Sequence, residues 1–125
     1  MKAALAGSVT EVTSGDKIEG TLTITESNPN LADLQELNTA VNGIIEIQDK
    51  TLALSGTAAA LAEALAGTVR EVTTGAAITG NMTLTSDPNA TQLQTINNAT
   101  TGMVVIPNAG ITLSGTPAVL VEALT

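Results

Sequence analysis

Two stretches of the chain alternate strictly between polar and apolar residues. Thr21-Leu22-Thr23-Ile24-Thr25 and Asn81-Met82-Thr83-Leu84-Thr85 have a period of two, the mark of a strand with one wet face. Leu22, Ile24, Met82 and Leu84 are expected to point inward and the threonines outward. Apolar runs predict further strands at 9–13, 44–47, 51–54, 69–73, 103–106 and 111–113. Elsewhere the period changes. Leu31, Leu34, Leu37 and Val41 recur at helical spacing and form one apolar stripe. An Ala/Leu segment over 58–66 and a final segment over 118–124 also read as helices. Asp87-Pro88 and Thr116-Pro117 predict helix starts, each with a capping side chain before a proline whose missing N–H would be unpaired there anyway. Gly43, Gly67 and Gly102 fall where left-handed C-terminal caps are expected. Ser14-Gly15-Asp16 and Pro107-Asn108-Ala109-Gly110 read as turns.

The pattern occurs twice. Ala4-Leu5-Ala6-Gly7, Val9, Glu11-Val12-Thr13, Gly15, Ile18 and Gly20 return 60 residues later, from Ala64 to Gly80. After a one-residue deletion the offset is 59: Leu34-Gln35, Asn38, Ala40 and Gly43 return as Leu93-Gln94, Asn97, Ala99 and Gly102, and Leu54-Ser55-Gly56-Thr57 as Leu113-Ser114-Gly115-Thr116. A fixed period of this length points to stacked units, each burying its apolar edge on the next. Each long repeat holds two strand–helix halves. The predicted fold is an α/β repeat solenoid of strand–turn–strand–helix coils, one domain over 1–125, with repeat 1 at 4–63 and repeat 2 at 64–125. Two small α+β domains in tandem are the competing arrangement, but a lone unit of that size without aromatics would be marginal. The chain opens on what reads as the tail of a repeat helix and closes on a repeat helix. Neither resembles the polar caps of natural solenoids, so both are expected to meet other repeats or other copies, and such open contacts build filaments.

Composition narrows the picture. The 125 residues include no Phe, Trp, Tyr, Cys or His. The core must come from Leu, Ile, Val, Ala and Met, which asks for regular packing of small side chains. A net charge of −8, with acids spread along the chain, argues against nucleic acid, which needs a basic patch, and against anionic membrane surfaces. No stretch has the roughly 18 apolar residues of a membrane span. Met1 to Ala6 starts like a signal peptide, but Gly7 ends the apolar run too early.

The chemistry available is limited. Without His or Cys, the usual nucleophile–histidine sites and a His-based zinc site are ruled out. Glu11 with Asp16 or Glu19, and Glu71 in the second copy, are the nearest carboxylate sets. Asp16 and Glu19 become Ala76 and Thr79, so solvated surface charge is the plainer reading and no enzyme activity is expected. Glu63 and Glu122 recur at one helix position and read as solubilising residues. No cofactor is expected. Calcium is the one metal that oxygen ligands could hold, with Asp87, Asn89 and the turn at Asp49 as candidates, but the spacing matches no calcium loop. The glycines over 74–80 lack the ending of a phosphate loop. The sharpest positive feature is the threonines. Thr21, Thr23 and Thr25, with Thr83 and Thr85 continuing the ladder, would make a flat grid of methyl and hydroxyl groups suited to ice or a crystalline polysaccharide. Against this stands the plain strand preference of threonine. Asn-x-Thr triplets at Asn81, Asn89 and Asn98 match a glycosylation acceptor, as expected in so Asn- and Thr-rich a chain.

The run from Leu54 to Val69, with Thr83-Leu84-Thr85-Ser86-Asp87, resembles the tandem repeats of very large secreted or cell-surface bacterial proteins, notably of marine cyanobacteria. The resemblance covers nearly the whole chain and implies an acidic, adhesin-like or spacer segment at an extracellular or cell-surface location, with no catalytic residue. The expected function is therefore structural: a self-associating module whose partner is itself, end to end, or a neighbouring repeat. Ala4, Leu5, Val9 and Val12 at one end, and Leu120, Val121 and Leu124 at the other, are the expected interface.

Overall fold

The computed structural model describes residues 17–125. Within them the chain is a mixed α/β structure of four helices and two small parallel sheets. The order is β1 (Leu22–Ile24), α1 (Leu31–Ala40), β2 (Ile45–Ile47), β3 (Leu54–Gly56), α2 (Ala58–Ala64), β4 (Val69–Glu71), β5 (Met82–Leu84), α3 (Ala90–Ala99), β6 (Val104–Val105) and α4 (Pro117–Leu124). One sheet runs β1-β2-β4 and the other β3-β5-β6, with every pairing parallel. Parallel neighbours need a crossover, and helices supply it here. The helices pack in chain order, α1 on α2, α2 on α3 and α3 on α4.

The two repeats make the same local bonds. Leu22 N–H donates to the Ile44 carbonyl at 2.8 Å, and Met82 N–H to the Met103 carbonyl at 2.9 Å. Isolated bridges join Ile18 to Val41 and Ile78 to Thr100. Asn38 Nδ2 donates to the carbonyls of Ala64 and Ala66 at 2.7 and 2.8 Å, and its counterpart Asn97 donates to the Glu122 carbonyl at 2.9 Å. Each asparagine thus satisfies carbonyl groups at the end of the neighbouring helix that have no partner within it.

The core is wholly aliphatic. Leu34, Ile45, Ile47, Leu52, Leu61, Leu65, Ile78, Met82 and Ile96 are fully buried, and one apolar cluster runs from Ile24 to Ala99 through both repeats. Close packing in such a core requires backbones to touch, and glycine permits it. A Cβ on Gly80 would lie 1.9 Å from the Leu52 carbonyl oxygen, one on Gly43 1.9 Å from the Gly20 oxygen, and one on Gly102 2.3 Å from the Gly80 oxygen.

These distances correct the expectation for Gly43 and Gly102. Neither has a positive φ, so they are contact glycines and not left-handed caps. Gly67, with φ of 70°, adopts the expected left-handed conformation. The α3 start is also corrected. Its N-cap is Asn89, two residues beyond Asp87: Asn89 Oδ1 accepts from Gln92 N–H at 2.8 Å and Gln92 Oε1 accepts from Asn89 N–H at 3.0 Å. This reciprocal box outcompetes the Asp-Pro start, and Asn30 caps α1 by accepting from the Asp33 N–H. Thr116 caps α4 with Pro117 at its first turn, as expected. The strand expected at 51–54 begins only at Leu54, and 111–113 forms no strand. The strand expected at 9–13 and the turn at Ser14 lie outside the described residues.

Candidate functional site

The features that distinguish the two ends of the molecule are differences in burial at equivalent positions. Ile45, Ile47, Leu52, Leu54 and Leu61 of repeat 1, and Leu65 just after it, are buried under β4, β5 and α3. In repeat 2 their counterparts Val104, Ile106, Ile111, Leu113 and Leu120 are half-buried, and Leu124 is exposed. Leu65 is 1% exposed and Leu124 67%. Met103, Val105 and Val121 are also exposed large apolar side chains. These half-buried and exposed apolar side chains lie on β6, the 111–113 segment and α4, and include the expected interface residues Leu120, Val121 and Leu124. Ala4, Leu5, Val9 and Val12 lie outside the described residues.

Near the start of the described residues, Ile18 is 38% exposed while its counterpart Ile78 is 0%. Gly20 shows the same asymmetry: a Cβ there would meet nothing within 4 Å among the described residues, whereas one on Gly80 would clash with Leu52. Among the described residues β1 forms the edge of its sheet. Gly20 and the β1 edge were not singled out from the sequence; the signal was available in the repeat, as a glycine retained where its twin has a steric reason.

The threonines occupy two separate sheets. Thr23 stands beside Glu46 and then Arg70 across the β1-β2-β4 sheet, and Thr83 between Ser55 and Val105 across β3-β5-β6. Thr21, Thr25, Thr83 and Thr85 are exposed and Thr23 is half-buried. Thr83 and Thr85 therefore do not continue the row of Thr21, Thr23 and Thr25. The row through Thr23 is charged: Arg70 Nη2 and Nε lie 2.8 and 3.2 Å from Glu46 Oε1, and Thr23 Oγ1 donates to Glu46 Oε2 at 3.4 Å. The repeat maps one sheet onto the other, so matching strands cannot be neighbours.

The acids have structural partners. Glu71 is buried, and its carboxylate accepts from Thr73 N–H at 2.6 Å, Thr74 N–H at 2.8 Å and Thr74 Oγ1 at 2.8 Å. Those bonds, led by the Thr73 amide, hold its pKa down to about 2. It anchors the turn after β4 and is not poised as an acid or base at neutral pH. Asp49 accepts from Thr51 Oγ1 at 2.6 Å and Thr51 N–H at 2.9 Å, and these bonds lower its pKa, the side-chain bond most. Glu63 and Glu122 accept from Gln35 and Gln94 respectively. The recurring acid thus ties α1 to α2 and α3 to α4, a pairing visible in the sequence as a recurring Gln matched to a recurring Glu. Glu19 is exposed; Glu11 and Asp16 lie outside the described residues. Asp87 lies 3.4 Å from Asn108 Nδ2 and Asn89 is engaged in its cap. No group of three or more acidic, His or Cys side chains that could hold a metal is found among the described residues. A shallow groove of about 400 Å³ beside Val69, Arg70 and Thr95 has Arg70 as its charged group, already paired to Glu46.

Comparison of the chain with known protein families, with curated proteins and with solved structures finds no match. No helix among the described residues is long and apolar enough to cross a membrane.

Proposed function

We propose that the protein is a non-catalytic structural repeat module that works by self-association, and that its two repeats are successive coils of an α/β solenoid. The observation that carries this is the paired burial of Leu65 and exposure of Leu124 at one repeat position, with the same contrast along β2 and β6. A layer whose twin is covered by the next repeat is built to be covered by a further repeat, from this chain or from another. The retained contact glycine at Gly20 supports the same reading from the other side. Backbone pairing at an open edge and burial of Leu, Val and Ile supply the attraction. The resemblance to repeats of very large bacterial surface proteins suits a spacer or filament-forming segment outside the cell.

The test is light scattering with negative-stain microscopy across protein concentration. Oligomers or fibres that grow with concentration are expected, and Leu124→Lys should abolish them while leaving the far-ultraviolet circular dichroism unchanged. A strict monomer at millimolar concentration would overturn the reading.

A further inference from the structure

The internal joint between the repeats is a parallel strand pair whose two halves recur in the sequence. Within the chain, Leu54-Ser55-Gly56 pairs in parallel with Met82-Thr83-Leu84, with Leu54 opposite Met82, Ser55 opposite Thr83 and Gly56 opposite Leu84. Leu54 N–H donates to the Asn81 carbonyl at 3.2 Å, and Thr85 N–H to the Gly56 carbonyl at 2.9 Å. Both halves of this joint occur a second time. Leu113-Ser114-Gly115 has the same sequence as Leu54-Ser55-Gly56, and Leu22-Thr23-Ile24 stands at the position of Met82-Thr83-Leu84. Neither of these second halves is joined in this way among the described residues. Among the described residues β1 is a sheet edge, and Leu113 to Gly115 forms no strand.

The surroundings match in part, since Glu19 stands where Thr79 does and only the backbone bond of Thr79 has an equivalent there. Beside the internal joint, the Leu52 carbonyl lies over Gly80, and Thr79 N–H and Oγ1 both reach the Lys50 carbonyl, at 2.6 and 3.1 Å. The counterpart of Leu52 is Ile111 and that of Gly80 is Gly20. Among the described residues Gly20 has open space where Gly80 has a carbonyl.

We propose that a second copy of the chain docks head to tail through this unused joint. Leu113–Gly115 of one copy adds to the β1 edge of the next as a parallel strand, with Leu113 opposite Leu22, Ser114 opposite Thr23 and Gly115 opposite Ile24. The Ile111 carbonyl of the first copy closes over Gly20 of the second. The proposal rests on the self-association reading above and specifies its two faces and its register. The partner is fixed by the repeat: the occupant of each face is a sequence this chain carries, in the register it already uses internally. The contact is heterologous, because the two faces differ, so it propagates instead of closing as a symmetric dimer. Like-charged copies at a net −8 repel through solvent, so association strengthens as added salt screens them.

The absence of native cysteine makes disulfide trapping a direct test. Directly opposed parallel residues lie within the span of a disulfide. Thr23→Cys and Ser114→Cys single variants, mixed under mild oxidation at high concentration, should cross-link to each other at least tenfold faster than Ser114→Cys with Thr25→Cys. A chain carrying both Thr23→Cys and Ser114→Cys should give a ladder of multimers on a non-reducing gel. Wild-type light scattering separates association from register. Association without preference for the Thr23–Ser114 pair would overturn the register and leave the self-association reading standing. A strict monomer with no preferred cross-link would overturn both.

Discussion

Leu61 and Leu120 hold the same place in two nearly identical helices, yet one is fully buried and the other half-exposed. The same holds for Leu65 against Leu124 and Ile45 against Val104. Their local sequences are alike, their helices start on the same Thr cap, and their strands make matching backbone bonds. What differs is the layer above. Burial at these positions is therefore set by what packs against each element, and equivalent side chains contribute to stability in proportion to what covers them.

The comparison can be broken most severely in the cores. Leu61→Ala should destabilise the protein by about 2–5 kcal/mol, read as the midpoint shift in urea unfolding at low protein concentration. Leu124→Ala at the exposed site should change it by no more than about 0.5 kcal/mol. If both cost the same in the monomer, the two layers are equally covered and the contrast fails. Next in size come the contact glycines. Gly80→Ala forces a Cβ into the Leu52 carbonyl and should cost about 1–3 kcal/mol or more; Gly20→Ala should be near neutral in dilute solution and weaken association on concentration. Helix caps sharpen the comparison further. Thr57 Oγ1 accepts from Ala60 N–H at 3.2 Å and Thr116 Oγ1 from Val119 N–H at 3.4 Å. Thr57→Ala should cost about 1 kcal/mol, and Thr116→Ala less, because α4 has less packed on it to lose.

The smallest effect is a pH dependence. Glu71 anchors the turn after β4, the strand that lies along β2. Its folded pKa of about 2 is below the ordinary 4.5. Stabilisation from its carboxylate is thus complete above about pH 4.5 and is lost as pH falls towards 2. Thermal melts over that window should show Glu71→Gln converging on the wild type as pH drops, with a constant gap above pH 5. A gap that does not narrow would mean the carboxylate bonds do not set the stability of the turn.

Much of the fold was legible because the signals were local. Alternation located β1 and β5, the Leu31-Leu34-Leu37 stripe located α1, and Thr116-Pro117 located the start of α4. The misses share a cause as well. Asn89 with Gln92 competes with Asp87-Pro88 for the start of α3, and the winner depends on a reciprocal pair three residues apart. Gly43 and Gly102 were read as local caps, but their role depends on the carbonyls of Gly20 and Gly80, more than twenty residues away. The threonine ladder failed for the same reason. Alternation states which way Thr23 and Thr83 face, while strand order, a non-local property, decides what stands beside them. The repeat places Leu120, Val121 and Leu124 on the last helix, but the half-burial of Leu120 and the exposure of Val121 and Leu124 depend on what packs against that helix, which no local pattern states.

A chain made by duplication risks mistaking its own halves for each other. Like strands side by side can slip by a whole repeat, and stacked copies of one segment are the route to cross-β aggregation. The separation of β1 and β5 into different sheets removes that hazard. Each strand has neighbours unlike itself, with Glu46 beside Thr23 and Arg70 beside Glu46, so a slipped pairing would separate opposite charges. With β1 and β5 in different sheets, the duplicated sequence keeps these two copies out of each other's register.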